Sequence, residues 1–379
     1  GTPPETPARG GNPLWTPPLR GLAMSELKTK IEMASNAKTA FRTHLHYLRS
    51  FQFIIALHHL PYHRNWPAAD SRVIDSLARS VRSSRHFQRT RGATTSADIP
   101  TVRAILRNAW GTELLLLTTA QLPDDELMSI ANNWAVVQAY YSCYHASQAL
   151  LVARGQRRPE DHASTLHQAA EFFTRSELTP WALGYRAGRF LGFPPDIDDA
   201  IHHLTPPDYE NCWSLSAKAL RTTRKEPLAI RRRQKRLEKR SERRKAWLET
   251  EGARLEAGRK PRKRPSFPVP VLTEDEKSSL DQGLSPTTLL DYLCRLRLKT
   301  NYKDPTMFTD GPDDVSESRE THQLLCQIVS ATLLVHELYI AKTLGVDQFR
   351  PIIDEWLTIP SAKHAAFGLS TRRDTLLAL

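Results

Sequence analysis

The sequence predicts an all-α protein interrupted by one long basic insertion. Apolar residues recur at three- and four-residue steps through almost every structured stretch, the period of a helix that buries one face. Strand-type alternation is missing; its nearest approach, "FPVPVL" at 267–272, carries prolines that favour an extended linker or a sheet edge. Charge is the third observation. The formal net charge is +12, from 53 Lys+Arg and 41 Asp+Glu, yet the stretch 221–264 alone holds 19 basic and 6 acidic residues. The other residues are close to neutral, so one strongly basic segment is set into a near-neutral body, and such a segment usually faces a polyanion.

The first helix is predicted over residues 25–60, with Leu27, Ile31, Ala34, Phe41, Leu45, Leu48 and Ile55 forming a stripe and Pro61 ending it. A second is expected after Asn65, with Pro67 in its first turn, carrying Val73, Leu77 and Val81 inward and Arg72, Arg79, Arg82 and Arg85 outward. Asp98 and Pro100 open a third. "LPDDE" starts a fourth that stops at Gly155, and Pro159 and Asp161 start a fifth through "HASTLHQAAEFF". Residues 192–212 hold four prolines and read as irregular. The basic run that follows is rich in helix formers but lacks a full apolar stripe, which fits a solvated helix or an arm that orders on a partner. Ser285-Pro286 resembles an N-cap and first-turn pair for the next helix. A long apolar helix over residues 316–344 stops at Gly345, and a last one covers about 346–358.

Residues 139–167 read "AYYSCYHASQALLVARGQRRPEDHASTLH". On a helix Tyr141, His145 and Gln148 share a face, with Tyr144 beside them. Aromatic rings and imidazole together can stack bases or fill a wet helix interface. The residue order resembles the HEPN family (higher eukaryotes and prokaryotes nucleotide-binding). "AYYSCYHASQALLVARG" followed by "HAS" and "LH" is similar to that family's Ala-Tyr-Tyr, aromatic, His-Ala-Ala and Ala-Leu-Leu segment, and "LRLKTNYKD" at 296–304 is similar to its Leu-Arg and Ala-Asp-Tyr segment. The likeness covers roughly residues 110–175 and 285–345, with the basic insertion standing where compact members have a short connection.

The resemblance implies a HEPN-like helical bundle with N-terminal helices and the long basic insertion. Its parts would be a disordered leader or expression remnant (1–23), an N-terminal helical region (24–97), a first bundle half (98–191), the insertion and linker (192–284), a second bundle half (285–345) and a C-terminal helix and tail (346–379). It also implies RNA-directed chemistry. Many HEPN proteins are metal-independent endoribonucleases with an arginine, four to six residues, then a histidine, often paired across a dimer. Histidine moves protons to or from the 2′-hydroxyl or leaving oxygen, and arginine steadies charge on the phosphoryl group. Arg157 and His162 have that spacing, as do Arg79 and His86. Arg157 and His162 are the catalytic candidates, as phosphoryl clamp and general acid/base; the bland alternative has His162 packing its helix start and Arg157 solvated. His145 either takes part, lines a nucleotide pocket, or hydrogen-bonds inside the bundle beside Tyr141 and Tyr302.

The insertion supplies the nucleic-acid-binding candidates Arg231, Arg232, Arg233, Lys235, Arg236, Lys239, Arg240, Arg243, Arg244, Lys245, Arg262, Lys263 and Arg264. Neutralising several phosphates with them would give salt-sensitive, sequence-independent binding. Five glutamates in the run keep a salt-laced solvated helix open as the alternative.

Other signals stay below this level. "ALHHLPYH" and "AIHHL" invite a metal reading, but Pro61 breaks the face between His59 and His63, and His336-Glu337 lacks the second histidine of a zinc protease motif. Phosphate loops, dinucleotide fingerprints and GxSxG elbows are missing, so no metal and no cofactor is expected. Cys143, Cys212, Cys294 and Cys326 are widely spaced, which fits a reducing cytoplasm. No apolar run is expected to reach the roughly 20 residues that span a bilayer. The function expected is thus an RNA-directed protein of a prokaryotic defence or toxin system, a candidate endoribonuclease acting as a homodimer. Its alternative is a non-catalytic nucleic-acid-binding or scaffold subunit of a larger effector complex.

Overall fold

A computed structural model describes residues 24–60, 70–91, 97–197, 211–363, 365 and 367–378, with side chains from Asn36 onward. The chain is mostly helical with two short strands, so the all-α expectation holds. The leader at 1–23, His63, Pro67 and "AIHHL" lie outside the described residues.

Helix α1 (Met24–His59) buries Phe41, Leu45, Leu48 and Ile55 of the expected stripe; the side chains of Leu27, Ile31 and Ala34 lie outside the described ones. Helix α2 (Ser71–Ser83) begins later than its proline suggested, because the Asp70 side chain accepts the Arg72 N–H at 2.9 Å and fixes the start there. Val73, Leu77 and Val81 point inward as expected. Arg85 belongs instead to a short α3 (Arg85–Arg89) after a break at Ser84. Helices α4 (Ile99–Thr119), α5 (Asp125–Ala153) and α6 (His162–Phe173) are capped by Asp98, Asp124 and Asp161, each accepting a first-turn N–H, and Gly155 leaves α5 at φ +80°.

A hairpin then corrects the expectation of no strands. β1 (Gly184–Arg186) pairs antiparallel with β2 (Arg189–Leu191) across a two-residue turn, Ala187-Gly188, with both φ positive. Strands of three residues are too short to carry a readable alternation. Helix α7 (Cys212–Glu256) packs its first three turns on α1, β1 and the helix that follows the insertion, then leaves the body. Helix α8 (Glu274–Gln282) has a capping box from Thr273 and Glu276.

Helix α9 (Leu289–Leu298) starts at Thr288 with Asp291 as its reciprocal cap partner, so Ser285-Pro286 is not the cap. The Ser285 carbonyl accepts Arg224 Nη1 at 2.6 Å and Thr287 pairs with Tyr185, which keeps that pair outside the helix. A π-turn (Lys299–Lys303) follows. Helix α10 (Val315–Leu344) is buried nearly end to end and stops at Gly345, φ +83°. By length and composition it could cross a membrane, contrary to the expectation that no run was apolar enough; 94% of its most apolar window is buried inside the protein, as befits a core helix. Helix α11 (Val346–Trp356) was expected, whereas the tail adds α12 (Pro360–Lys363) and α13 (Leu369–Leu377).

The core is organised around α5, which packs α4 on one side and α10 on another. One contiguous apolar cluster runs from Phe41 of α1 to Leu376 of α13, so the N- and C-terminal helices share it with α5 and α10.

Candidate functional site

The tyrosines of α5 lie against α6 and α9. Tyr140 and Tyr144 are buried and stacked, ring centroids 5.6 Å apart, while Tyr141 and His145, one turn apart, stack at 5.9 Å. Asp161 caps α6 and makes His162 its first residue, which aims the imidazole back at α5. His162 Nδ1 shares a 2.7 Å hydrogen bond with the Tyr140 hydroxyl, and its ring centre is 4.5 Å from that of Tyr144. Gln148 Nε2 donates to the Tyr144 hydroxyl at 3.0 Å and to the Pro159 carbonyl at 3.2 Å, tying the loop before α6 to the same helix.

Arg297 completes the cluster from α9. Its guanidinium carbon lies 4.9 Å from the Tyr140 ring centre and 5.3 Å from that of Tyr141, and Nη1 donates to the Tyr141 hydroxyl at 2.8 Å. Among the described residues no carboxylate comes within ion-pair distance of it. Partial burial holds the His162 pKa below the ordinary value; Arg297 lowers it further and Asp161 opposes. Burial likewise lowers that of His145, against the Gln148 side chain and with Arg158 and His162. Burial raises that of Tyr140 far above the usual phenol, so the hydroxyl stays protonated. The cluster therefore combines two neutral imidazoles with an arginine whose charge no carboxylate offsets, the pairing that proton transfer beside a phosphoryl group needs.

The sequence candidates divide. Arg157 and His162 end on different partners: the Arg157 side chain is 88% exposed and pairs with Glu160 at 2.6 Å, whereas His162 turns to Tyr140. Among the described residues Arg79 reaches the Asp75 carbonyl, while His86 bonds the Tyr339 hydroxyl at 2.9 Å. His145 stands beside Tyr141 as expected, whereas Tyr302 is 76% exposed. Arg297 received no role from sequence. Its signal was the spacing Arg297, four residues, Tyr302 within "LRLKTNYKD", which lacks a histidine.

Other histidines have structural partners. His59 is held by Ser80 at 2.7 Å and by the Thr179 carbonyl at 2.5 Å; His336 is held by Ser147 at 2.9 Å and by the Thr332 carbonyl at 2.7 Å. All four cysteines are free and buried.

The basic candidates form an arm. Beyond Arg224, α7 continues for eight to nine turns, about 48 Å at the usual rise per residue. The chain then returns along it: Arg262 bonds Glu251, Phe267 packs on Trp247 at 6.2 Å, and Lys239 pairs with Glu276 at 2.5 Å. Arg231, Arg233, Arg236, Arg240, Arg243, Arg244 and Lys245 are exposed on the helix, and Lys263 and Arg264 on the returning segment; Arg232 and Lys235 are half-buried.

No protein family, curated protein or solved structure matches the chain. Fold and site together define its class as a mostly helical protein bearing a cationic helical arm.

Proposed function

We propose that this is an RNA-directed, HEPN-like protein that holds RNA on its arm and cleaves it at the cluster around His162, without a metal ion. The single observation that carries this reading is Arg297, an arginine uncompensated by carboxylate, set within one aromatic cluster with His162 and His145. An RNA phosphate supplies the missing negative charge, and Arg297 takes the clamp role that Arg157, engaged with Glu160, does not fill. A neutral imidazole accepts the 2′-hydroxyl proton as that oxygen attacks the adjacent phosphorus. The 5′-oxygen departs with a proton, leaving a 2′,3′-cyclic phosphate and a free 5′-hydroxyl.

The test is cleavage of end-labelled RNA in EDTA by wild type, His162→Ala and Arg297→Gln, with product ends identified. Cyclic phosphate ends from wild type and a loss of about 100-fold or more in each variant support the reading. Equal activity in all three removes the cluster from the chemistry. Binding without cleavage by the wild type supports a second reading, a non-catalytic RNA-binding subunit, which the Tyr140 bond to His162 and the Glu160 bond to Arg157 favour.

A further inference from the structure

The arm carries an apolar seam that the protein itself leaves uncovered. Ile230, Leu237, Leu248 and Leu255 are 52%, 46%, 48% and 48% exposed, although the rest of the arm is chiefly charged. Their spacings of seven, eleven and seven residues place all four within about 20° on an α-helix. The returning segment leaves these four exposed: it borders the seam at Glu251, which Arg262 covers, and otherwise contacts the face of Trp247 and Arg254.

The seam fits a strict heptad. Steps of four and three residues run Ile230, Gln234, Leu237, Ser241, Arg244, Leu248, Glu251, Leu255, the alternation of core positions in a coiled coil. This pattern is also a palindrome about the point between Glu242 and Arg243. Running the helix backwards against itself sets Ile230 opposite Leu255, Leu237 opposite Leu248, Gln234 opposite Glu251 and Ser241 opposite Arg244. Each apolar residue meets an apolar one, and the long Arg244 meets the small Ser241. A parallel pair would stack Arg244 on Arg244, like charges in the seam, which is unfavourable. On one flank the antiparallel arrangement also brings Glu238 towards Lys245 of the other helix, twice by symmetry.

We propose that the arm pairs with the arm of a second copy of this chain as an antiparallel two-helix coiled coil. The pairing leaves Arg236 and Arg243 on its outer faces, exposed and without a carboxylate partner among the described residues, to meet a polyanion, and it stands whether or not the protein acts on RNA.

The mass of the full chain in solution, by light scattering across a concentration series, tests it together with Leu237→Asp/Leu248→Asp. A wild-type dimer and a monomeric variant with unchanged circular dichroism are expected. Cysteine pairs supply a readout independent of that variant's folding. Leu237→Cys/Leu248→Cys should oxidise to a covalent dimer, because the two positions face each other between copies yet lie about 16 Å apart within one helix, too far for a disulfide. Either single cysteine should give none. A monomeric wild type at every concentration overturns the proposal and leaves the seam to a helix of another protein. Cross-linking by the single variants, which demands a parallel pair, overturns it too.

Discussion

Arg372 of α13 donates to both carboxylate oxygens of Glu113 on α4, at 2.6 and 2.8 Å, with both side chains 2% exposed or less. The other edge of the guanidinium binds Glu337 of α10 at 2.8 Å, and Trp110 Nε1 donates to the same carboxylate. Burial raises the Glu337 pKa against the pull of Arg372. A tail expected to be a short helix and loose end thus plugs the bundle core. Replacing only the arginine strands two buried carboxyl groups, so Arg372→Met should cost about 3–5 kcal/mol. Adding Glu113→Gln should restore part of the loss. Urea unfolding of the three proteins checks this, and wild-type stability in Arg372→Met would contradict it.

Buried histidines set an acid sensitivity. Burial, partly offset by their carbonyl bonds, holds His59 and His336 at about 4, below the ordinary histidine value of 6.5. The unfolded chain takes up these protons as pH falls through 6.5, while the folded chain refuses them until about 4. Their stabilisation is complete above 6.5 and is lost between 6.5 and 4, about 3 kcal/mol for each histidine. Asp291, raised by burial to about 6, works in the opposite direction in this window, since the folded state holds its proton more tightly. Two histidines outweigh one carboxyl. The urea midpoint should therefore fall from pH 7 to pH 4.5, and fall less in His336→Gln.

Gly311 marks where α1 docks. A Cβ there would run into the Met307 carbonyl and the Phe41 side chain, and would crowd the Ala37 carbonyl, two of these being backbone atoms that cannot swing aside. Phe41 meanwhile packs edge-on against Phe308 at 5.9 Å. Gly311→Ala should destabilise by about 1–3 kcal/mol through overpacking. Thermal melting beside Gly258→Ala, where the site has open space but φ is +70°, separates crowding from backbone strain.

The helices were legible because their caps and periods are local: Asp98, Asp124, Asp161 and Gly345 mark ends that need no knowledge of the fold. Long-range partners were not. Nothing within a few residues of Arg372 announces Glu113, 259 positions away, and the hairpin at Ala187-Gly188 is too short to show a period. The same limit applied to the candidate site. Sequence spacing put Arg157 near His162, whereas packing of α9 on α5 brought in Arg297, 135 residues after His162. The arm's apolar seam was not legible, since the run lacks a full apolar stripe and its uncovered state depends on where the returning segment lies.

The outer face of the arm makes a quantitative prediction for polyanion binding. Arg236, Arg240 and Arg243 are exposed, and none has a carboxylate within ion-pair distance among the described residues. Each that neutralises a phosphate on a single strand should contribute about 0.7 to the slope of log affinity against log salt. Converting the three to glutamine should reduce that slope by about 2 and weaken binding similarly for unrelated sequences, because phosphate contacts carry no base information. The same change leaves helix propensity nearly intact, so a folding defect is not its consequence. Fluorescence anisotropy with single-stranded RNAs of different sequence over a salt series measures both quantities. An unchanged slope would assign the phosphate contacts to other cations, whereas a loss confined to one RNA sequence would mean that these arginines read bases.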